Sequence, residues 1–413
     1  MRLIYNLFLF IYLLVARCLA VKNRKAKQWV EGRTDVFKQL SEQITHSEDI
    51  IWFHCASLGE FEQARPLIEY IKQRQSAYKI LLTFFSPSGY EIQKNYQQAD
   101  YVFYLPHDTV SNAKKFLRIV QPKYIFFIKY EFWYNYINQA HKQHIPFYSV
   151  SCIFSKKQFY FTWYGTWFRK QLRSITHFFT QDEDSKKLLN KYGISQASVC
   201  GDTRFDRVYE LVNQAKEIDF FSDLASKNNI IVAGSTWSED EKLLAQLIEN
   251  HRFTLIIAPH EVHKEHIEEV EKRFAAYSPL RYTQLKTETK QAQVIVIDVI
   301  GILNSLYRYA SIAYIGGGFG KGIHNILEAA TYGKPIIFGT NYKKFKEAND
   351  LIRLSAAFSV SNYEELNKII YHLSADPQAI KNAGSNAKQY VLDNIGGCER
   401  VYEEVFYLKG RYC

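Results

Sequence analysis

Glycine, proline and cysteine are all scarce in this chain. Its 413 residues include only 19 glycines and 9 prolines, which excludes collagen-like and low-complexity proteins. The six cysteines are scattered without a Cys-x-x-Cys pair, so the sequence predicts neither a disulfide framework nor a zinc knuckle and fits a reducing compartment. Because 47% of the residues are hydrophobic, we expect two or three folded domains with substantial cores.

Basic charge is concentrated in two segments. The formal net charge is +10, of which residues 1–33 carry +6 and residues 155–173 carry +5. The rest of the chain is nearly neutral and contains no recognisable nucleic-acid motif, so we expect no nucleic-acid partner. The second segment interleaves aromatic residues with cations, which is typical of a face that contacts an anionic membrane or a phosphorylated lipid. The alternative is a core helix whose cations reach outward. These cations are Lys156, Lys157, Arg169, Lys170 and Arg173.

The N-terminal segment begins with a nearly uninterrupted apolar run over residues 3–16. This run is short for a full membrane span, which takes about 20 residues. We predict an uncleaved anchor or interfacial helix over residues 1–28, on the cytoplasmic face, because the basic cluster follows the apolar run. Arg17 disfavours a signal peptide, and a helix that packs onto the following domain is the remaining alternative.

Short apolar runs alternate with longer amphipathic segments over most of the chain. This alternation is typical of an α/β fold with parallel sheets covered by helices. A polar stretch at residues 213–229 interrupts it. We therefore predict two doubly wound domains, one over residues 29–215 and one over residues 222–413, the second ending in helices. Ligands of such sheets bind beyond the carboxyl ends of the strands, so two facing domains would leave a cleft between them.

Three residues of the first domain follow predicted strands and are candidates for catalysis. Glu60 could accept a proton from an attacking hydroxyl, although the Ser57-x-x-Glu60 spacing also fits a helix capping box. Glu131 adds a second carboxylate at the same edge of the sheet, or it simply favours a helix dipole. Arg204 could stabilise an anionic leaving group, the alternative being a structural Arg–Asp pair.

The second domain contains a glycine-rich loop between a predicted strand and a predicted helix. The backbone amides of Gly316, Gly317 and Gly318 form a candidate phosphate-binding loop, but Gly322 stands where a P-loop needs Ser or Thr. Glu328, in the helix that follows, could accept from ribose hydroxyls. No cluster of His, Cys, Asp or Glu has the spacing of a metal site, so we predict no metal.

In their order along the chain, these motifs resemble those of the 3-deoxy-D-manno-octulosonic acid (Kdo) transferases of Gram-negative lipopolysaccharide synthesis. The resemblance runs to about residue 350 and rests chiefly on two elements together, Ser-x-Gly-Glu ending at Glu60 and His-Asn-x-x-Glu ending at Glu328. It implies a GT-B fold, with an N-terminal acceptor domain and a C-terminal donor domain. It also implies inverting transfer of Kdo from CMP-Kdo to a lipid A precursor, lipid IVA, at the cytoplasmic face of the inner membrane. Because CMP carries one phosphate, we expect neither a metal nor another cofactor.

The resemblance also implies roles for individual residues. Glu60 takes the position of the general base, and Glu131 and Arg204 take those of the transition-state stabilisers, with arginine where the family usually has lysine. The implied CMP contacts are Pro259, His260, Ile300, Gly301, Ile302, Asn325, Ile326, Leu327 and Glu328. His260 and Ile302 depart from the usual arginine and glutamate, which leaves main-chain contacts at those positions. Open alternatives are another GT-B nucleotide-sugar transferase, a UDP-sugar epimerase, and an inactive membrane-bound nucleotide-binding module.

Overall fold

The computed structural model describes residues 2–45, 47–227, 229–250, 253–285 and 292–407. Cys413, one of the six cysteines, lies outside the described residues. The chain divides into two compact units. The first comprises Met1–Arg207 and the chain from Gly396 onward, and the second is Val208–Ile395.

Each unit contains a seven-stranded parallel sheet. The strands of the first sheet are β1 (Ile50–Cys55), β2 (Lys79–Phe84), β3 (Tyr101–Tyr104), β4 (Tyr124–Ile128), β5 (Phe147–Cys152), β6 (His177–Thr180) and β7 (Ala197–Val199). Their order is β3-β2-β1-β4-β5-β6-β7. The second sheet consists of β8 (Ile230–Thr236), β9 (Thr254–Pro259), β10 (Leu280–Arg281), β11 (Val294–Val296), β12 (Ile312–Ile315), β13 (Ile336–Phe338) and β14 (Ala357–Ser359). Their order is β10-β11-β9-β8-β12-β13-β14.

Helices connect most of the strands. They are α1 (Arg2–Ala20), α2 (Arg24–Glu31), α3 (Val36–Gln43), α4 (Leu58–Arg74), α5 (Pro87–Gln93), α6 (Val110–Val120), α7 (Tyr134–Lys142), α8 (Thr166–Leu172), α9 (Glu183–Lys191), α10 (Arg204–Gln214), α11 (Asp219–Lys227), α12 (Ser238–Asn250), α13 (Lys264–Arg273), α14 (Leu303–Leu306), α15 (Leu327–Thr331), α16 (Lys346–Arg353), α17 (Tyr363–Ala375), α18 (Pro377–Leu392) and α19 (Gly397–Phe406). The two doubly wound sheets confirm the predicted α/β class.

Both sheets have a switch point, where the strand order reverses direction. In the first sheet it lies between β1 and β4, which pair directly, with His54 opposite Phe127. In the second it lies between β8 and β12, with Gly234 opposite Ile315. Loops that leave the carboxyl ends of such neighbouring strands diverge and leave a crevice, which is where open α/β sheets bind ligands.

The first sheet is buried on both faces. Successive side chains of a strand point to opposite faces, so Trp52 packs in one hydrophobic core and Phe53 in the other. A strand covered on both sides needs a continuous apolar run, and all six residues of β1 are buried. This pattern made the strand predictable from sequence.

Some elements differ from the expectations. The polar stretch at residues 213–229 contains α11, whose apolar face buries Phe221 and Leu224. Two edge strands of the second sheet, β10 and β14, were not predicted because they have only two and three residues. A segment this short carries no readable alternation.

The last helix belongs to the first unit, although the sequence predicts that residues 222–413 form one domain. Val401, Tyr402 and Val405 of α19 are buried against the core of the first sheet. The Asp206 carboxylate also accepts from the amides of Gly396 (2.5 Å) and Cys398 (2.8 Å). The apolar face of α19 therefore packs against residues that are distant in the sequence. The alternation of strands and helices could not predict this contact.

Truncation of Tyr402 tests this packing. Tyr402 is 4% exposed, so Tyr402→Ala leaves a cavity and is expected to destabilise the first unit by about 3 kcal/mol or more. Tyr407→Ala, at a position 65% exposed, is the matched control and should change stability little. Chemical denaturation measures both variants, and equal effects would contradict the assignment of α19 to this core.

Helix α1 packs along one side only. Its Tyr5 hydroxyl donates to the buried Asp108 carboxylate (2.6 Å), and Tyr12 meets the buried Trp29 edge-on. Leu3–Ala20 is long and apolar enough to cross a membrane, and only 6% of that stretch is buried. The helix therefore packs onto the domain by one side, as the alternative expects, and its other side is long and apolar enough for the predicted anchor. Its location in an inner membrane stays a prediction.

Candidate active site

Glu60 lies in the first turn of α4, directly beyond β1 at the switch point of the first sheet. Ser57 is the N-cap residue, but its hydroxyl donates to the Glu60 carboxylate and makes no capping bond to a helix amide. The Lys129 ammonium lies 3.7 Å from the other carboxylate oxygen of Glu60. The capping-box interpretation is therefore wrong, because the hydroxyl and the ammonium hold Glu60 at the carboxyl edge of the sheet.

Glu131 lies in the connection between β4 and α7, beside Glu60. The helix begins only at Tyr134, so Glu131 is not in its first turn and the helix-dipole interpretation is wrong. Burial, followed by the charge of Glu60, raises the pKa of Glu131 to about 7. Burial and a neighbouring carboxylate both disfavour the charged form of Glu131, so its carboxyl group holds a proton for part of the time at neutral pH.

A buried, neutral histidine is hydrogen-bonded to the connection that carries Glu131. His54, at the end of β1, is fully buried, and burial lowers its pKa to about 3. Its Nε2 accepts from the Trp133 indole N–H (3.2 Å), which leaves the ring proton on Nδ1, 3.0 Å from the Thr83 hydroxyl. Trp133 is thus tied to β1, and the connection that carries Glu131 is fixed to the strand that precedes Glu60.

Lys129 and His54 were not predicted as site residues. The available signal for Lys129 is its place directly after β4, next to the strand that leads to Glu60. Its backbone is left-handed, with φ of 60°, a conformation that costs energy in a residue with a side chain. That conformation accompanies the close approach of its ammonium to Glu60.

Arg204 is paired with Asp202, as the structural alternative expects. Its guanidinium donates twice to one Asp202 oxygen, at 2.9 and 2.7 Å. Asp202 is 7% exposed and also accepts from Gln63 on α4, the helix that carries Glu60. The Arg204 side chain remains 32% exposed, so Asp202 orients the cation at the surface instead of burying it.

The glycine-rich loop of the second unit binds an internal carboxylate. The Gly317 amide donates to Asp240 (2.9 Å), and the Gly316 amide donates to the carbonyl of Gly234 (2.9 Å). Asp240 is fully buried, which raises its pKa, and it also accepts from the Trp237 amide. The prediction that Gly316, Gly317 and Gly318 form an anion-binding loop is wrong for the first two amides, because Asp240 and Gly234 occupy them.

These glycines instead permit a close approach between chain segments. A Cβ atom on Gly316 would lie 2.3 Å from the carbonyl oxygen of Ser235, and one on Gly318 would lie 2.5 Å from the Gly339 amide nitrogen. Both distances are shorter than any van der Waals contact. The glycine pattern therefore reflects backbone packing at the ends of β8, β12 and β13.

Helix α15 begins at Leu327 and has five residues, so Glu328 lies in its first turn. Ile326 and Leu327 are buried in the core, which leaves only their main chain for a ligand. The Asn325 side-chain amide donates to the Glu328 carboxylate (2.9 Å), and its oxygen accepts from the Leu327 amide. Of the four predicted CMP contacts here, Asn325 and Glu328 therefore present polar side chains.

A cavity of about 610 Å³ opens beside the glycine-rich loop. Three of its lining rings stack: His260 lies parallel to Trp237, with centroids 4.8 Å apart, and to His324, at 4.3 Å. The Trp237 indole N–H donates to Nε2 of His324 (3.1 Å), and burial and His260 lower the pKa of His324 to about 4. Each unit thus has an indole N–H that donates to a neutral histidine near the carboxyl ends of its switch-point strands.

The remaining predicted CMP residues are spread more widely. Pro259 ends β9, directly before His260. Ile300 is 85% exposed, and Gly301, with φ of 97°, and Ile302 complete the turn before α14. Among the described residues that line the 610 Å³ cavity, none belongs to this turn. The structure therefore groups His260 with the glycine-rich loop and leaves residues 300–302 outside the cavity.

The basic aromatic segment divides into structural and exposed cations. Arg169 donates to the carbonyls of Tyr160 (2.8 Å) and Thr162 (2.7 Å), and Arg173 donates to the carbonyl of Tyr192 (3.2 Å). These two arginines hold the segment together. The other three cations, Lys156, Lys157 and Lys170, are exposed. The membrane-facing interpretation therefore rests on the lysines and stays a prediction.

Within the described ranges, no group of three or more His, Cys, Asp or Glu side chains is arranged to hold a metal ion. The prediction of a metal-independent protein is not tested by this arrangement.

The architecture and the two switch-point sites define the chain as an α/β protein of the GT-B-like fold class. UDP-GlcNAc 2-epimerase from Neisseria meningitidis bound to UDP-GlcNAc superimposes with a TM-score of 0.60 and 15% identity, covering 86% of this chain and 98% of that chain. MurG from Acinetobacter baumannii gives a TM-score of 0.55 at 13% identity, covering 87% and 99%. At these identities the likeness shows the fold alone.

Sequence comparison points to one family within that class. The model of the 3-deoxy-D-manno-octulosonic-acid transferase (kdotransferase) family matches residues 28–207 of this chain, a range that contains Glu60, Glu131 and Arg204. The 3-deoxy-D-manno-octulosonic acid transferase of Rickettsia felis is 29% identical over 378 residues, which cover 88% of this chain and 80% of that protein. The predicted resemblance is confirmed.

Proposed function

We propose that this protein is a glycosyltransferase of lipopolysaccharide synthesis that transfers Kdo from CMP-Kdo to a lipid A precursor with inversion. The observation that carries the proposal is the pairing of Glu60 and Glu131 at the switch point of the first sheet, with the Lys129 ammonium 3.7 Å from Glu60. The match to the Kdo transferase family model and the similarity to Kdo transferases support Kdo as the transferred sugar. The lipid acceptor and the inversion go beyond the family name.

In the proposed reaction, Glu60 acts as the general base. Its carboxylate accepts the proton of an acceptor hydroxyl while that oxygen bonds to the anomeric carbon of Kdo, and the bond from that carbon to the CMP phosphate oxygen breaks. One base that assists a direct displacement inverts the configuration at that carbon. Ser57 and Lys129 orient the Glu60 carboxylate for this step.

In the proposed reaction, Glu131 and Arg204 stabilise negative charge on the sugar and on the departing phosphate. A carboxyl group with a pKa near 7 holds a proton for part of the time at neutral pH, so Glu131 can donate a hydrogen bond to the anionic sugar. Arg204, oriented by Asp202, supplies the positive charge that offsets negative charge on the departing phosphate. We propose that these groups make a metal or another cofactor unnecessary.

The cavity of the second unit supports a nucleotide donor. The stacked rings of Trp237, His260 and His324 offer aromatic faces suited to a base. Glu328 is not among the residues that line this cavity, and we propose its carboxylate for the ribose hydroxyls from the helix that follows the glycine-rich loop. Lys321 also lines the cavity and can pair with a phosphate. These features support CMP-Kdo as the donor. We propose separately that α1 attaches the protein to the cytoplasmic face of an inner membrane.

One assay separates the proposed function from its alternatives. The protein is incubated with CMP-Kdo and lipid IVA, and mass spectrometry of the lipid reports each Kdo added. We expect the lipid mass to rise by whole Kdo increments and CMP to appear in step. UDP-GlcNAc epimerisation without lipid modification would support an epimerase, and nucleotide binding without turnover would support an inactive module.

Removal of the Trp237 indole N–H tests the nucleotide cavity. Trp237→Phe keeps an aromatic ring but deprives Nε2 of the neutral His324 of its donor. A lost hydrogen bond of this kind costs about 1 kcal/mol, so we expect CMP affinity, measured by calorimetry, to fall about fivefold. Trp163→Phe, at a residue 88% exposed in the first unit, is the control. Unchanged CMP binding in Trp237→Phe would remove this cavity from the proposal.

A further inference from the structure

A second cavity, of about 420 Å³, lies in the first unit between α1 and the Glu131 connection. Ile4, Tyr5 and Phe8 of α1 form one wall. The opposite walls come from the connection after β4 and from the basic aromatic segment, and consist of Tyr130, Glu131, Phe132, Trp133, Phe159, Trp167 and Phe168. The candidate anchor helix therefore lines a space that contains one of the two active-site carboxyl groups.

The interior of this cavity is suited to hydrocarbon. The Tyr5 hydroxyl already donates to Asp108, and the Trp133 indole N–H already donates to His54. The Glu131 carboxyl, the Tyr130 hydroxyl and the Trp167 indole N–H are the other polar groups of the lining residues, and the rest of the rings and aliphatic side chains present apolar surface. The hydroxyls of a bound sugar would give up hydrogen bonds to water and find few partners in the cavity, which costs free energy. Transfer of an acyl chain from water into the same space is favourable.

The surroundings of the cavity favour a chain that comes from a lipid layer. Ile4 and Phe8 are each 63% exposed, so they contribute both to the cavity wall and to the exposed apolar side of α1. That exposed side continues along the helix through Ile11, Leu14 and other residues. An apolar surface that runs from a membrane-competent helix into a cavity gives an acyl chain a path without water contact.

The charge nearby is complementary to an anionic lipid. Lys156, Lys157 and Lys170 are exposed on the segment that also supplies Phe159, Trp167 and Phe168 to the cavity. Trp163, on the same segment, is 88% exposed, and tryptophan is favoured at the interface between lipid and water. Cations and an interfacial ring beside an apolar cavity match a phosphorylated glycolipid better than a soluble sugar.

We propose that this cavity binds one acyl chain of the phosphorylated glycolipid acceptor, with α1 as the wall that selects acylated over deacylated acceptors. The inference rests on the proposed function, because it assigns the lipid part of the same acceptor. It gives α1 a role beyond attachment, since Ile4 and Phe8 determine specificity and the chain they hold sets the position of the acceptor headgroup next to Glu131.

Filling the cavity tests this assignment. In Ile4→Trp and in Phe8→Trp, an indole ring that is larger than the native side chain occupies part of the cavity beside Glu131. We expect each variant to raise the KM of the acylated acceptor at least tenfold, and to leave the KM values of CMP-Kdo and of the fully deacylated acceptor within twofold of wild type. The matched control is Leu7→Trp, at a position of α1 that is 59% exposed and outside the residues lining the cavity.

A measurement without turnover separates this inference from the proposed function. Calorimetry in detergent micelles, with no CMP-Kdo present, should show tenfold weaker binding of acylated acceptor to both filled variants and unchanged binding to Leu7→Trp. If the wild type binds acylated acceptor in this way but transfers no Kdo, the proposed function fails and the acyl site stands. If the filled variants match Leu7→Trp in both experiments while the wild type transfers Kdo, the acyl site is overturned and the proposed function stands.

Discussion

Glu60→Gln is expected to reduce Kdo transfer about 10²- to 10⁴-fold while CMP binding stays unchanged. Glutamine keeps the size of the side chain and can still accept from the Ser57 hydroxyl, but it cannot take up the proton of the acceptor hydroxyl. Because the lost interaction belongs to the transition state, the decrease should appear in kcat with little change in the KM of CMP-Kdo. Transfer is measured from the mass of the lipid product, and CMP affinity by calorimetry.

Glu183→Gln provides the matched control for Glu60. Glu183 also follows a strand of the first sheet and opens a helix, but it lies beyond β6, away from the switch point, and 59% of its side chain is exposed. We expect its replacement to leave transfer within about twofold of wild type. Near-normal turnover by Glu60→Gln would refute the base assignment, and an equal loss in both variants would point to a general electrostatic effect.

The meeting of Glu60 and Glu131 was predictable because it follows from backbone topology. Two apolar runs mark β1 and β4, and parallel strands present their carboxyl ends at one edge of a sheet. The detailed contacts were not predictable in the same way. Side-chain rotamers decide whether Ser57 donates to Glu60 or caps the helix. The contact of Lys129 with Glu60 depends on an unfavourable backbone conformation at Lys129.

The glycine-rich loop shows where a motif in sequence becomes ambiguous. A run of glycines between a strand and a helix is equally consistent with an anion-binding loop and with a loop that packs closely on its neighbours. Asp240, which binds the Gly317 amide, lies 77 positions earlier in the chain. No local pattern connects those two positions, so only the tertiary structure distinguishes the two roles.

The second cavity was also beyond the reach of sequence. An apolar run and a basic aromatic segment both indicate a lipid surface, but neither indicates that α1 contacts that segment. The contact depends on single side chains: Tyr5 packs against Tyr134 and Trp167, and its hydroxyl bonds to Asp108, 103 positions further along the chain. A helix predicted as an anchor, or as a helix packed onto the domain, thereby becomes part of the wall around Glu131.

Glu131→Gln is expected to stabilise the first unit at pH 8 while it lowers Kdo transfer at least tenfold. The pKa of Glu131 is raised by burial and by Glu60, from an ordinary value of 4.5 to about 7. The folded state therefore binds the Glu131 proton more tightly than the unfolded state, and stability from this group is fully present below pH 4.5 and lost as the pH rises through 7. A shift of this size corresponds to about 3 kcal/mol.

Glutamine has no charge to desolvate, so the variant should recover up to about 3 kcal/mol of unfolding free energy at pH 8 and almost none at pH 4. Chemical denaturation at the two pH values measures the difference. Asp108 supplies an internal comparison, since burial raises its pKa to about 7 in the same unit. Part of the pH dependence should therefore persist in Glu131→Gln and decrease further when Asp108→Asn is added. If Glu131→Gln is no more stable than wild type at pH 8, burial of the Glu131 carboxylate does not cost free energy of folding. The proposal that protonated Glu131 donates to the anionic sugar would then lose its physical basis.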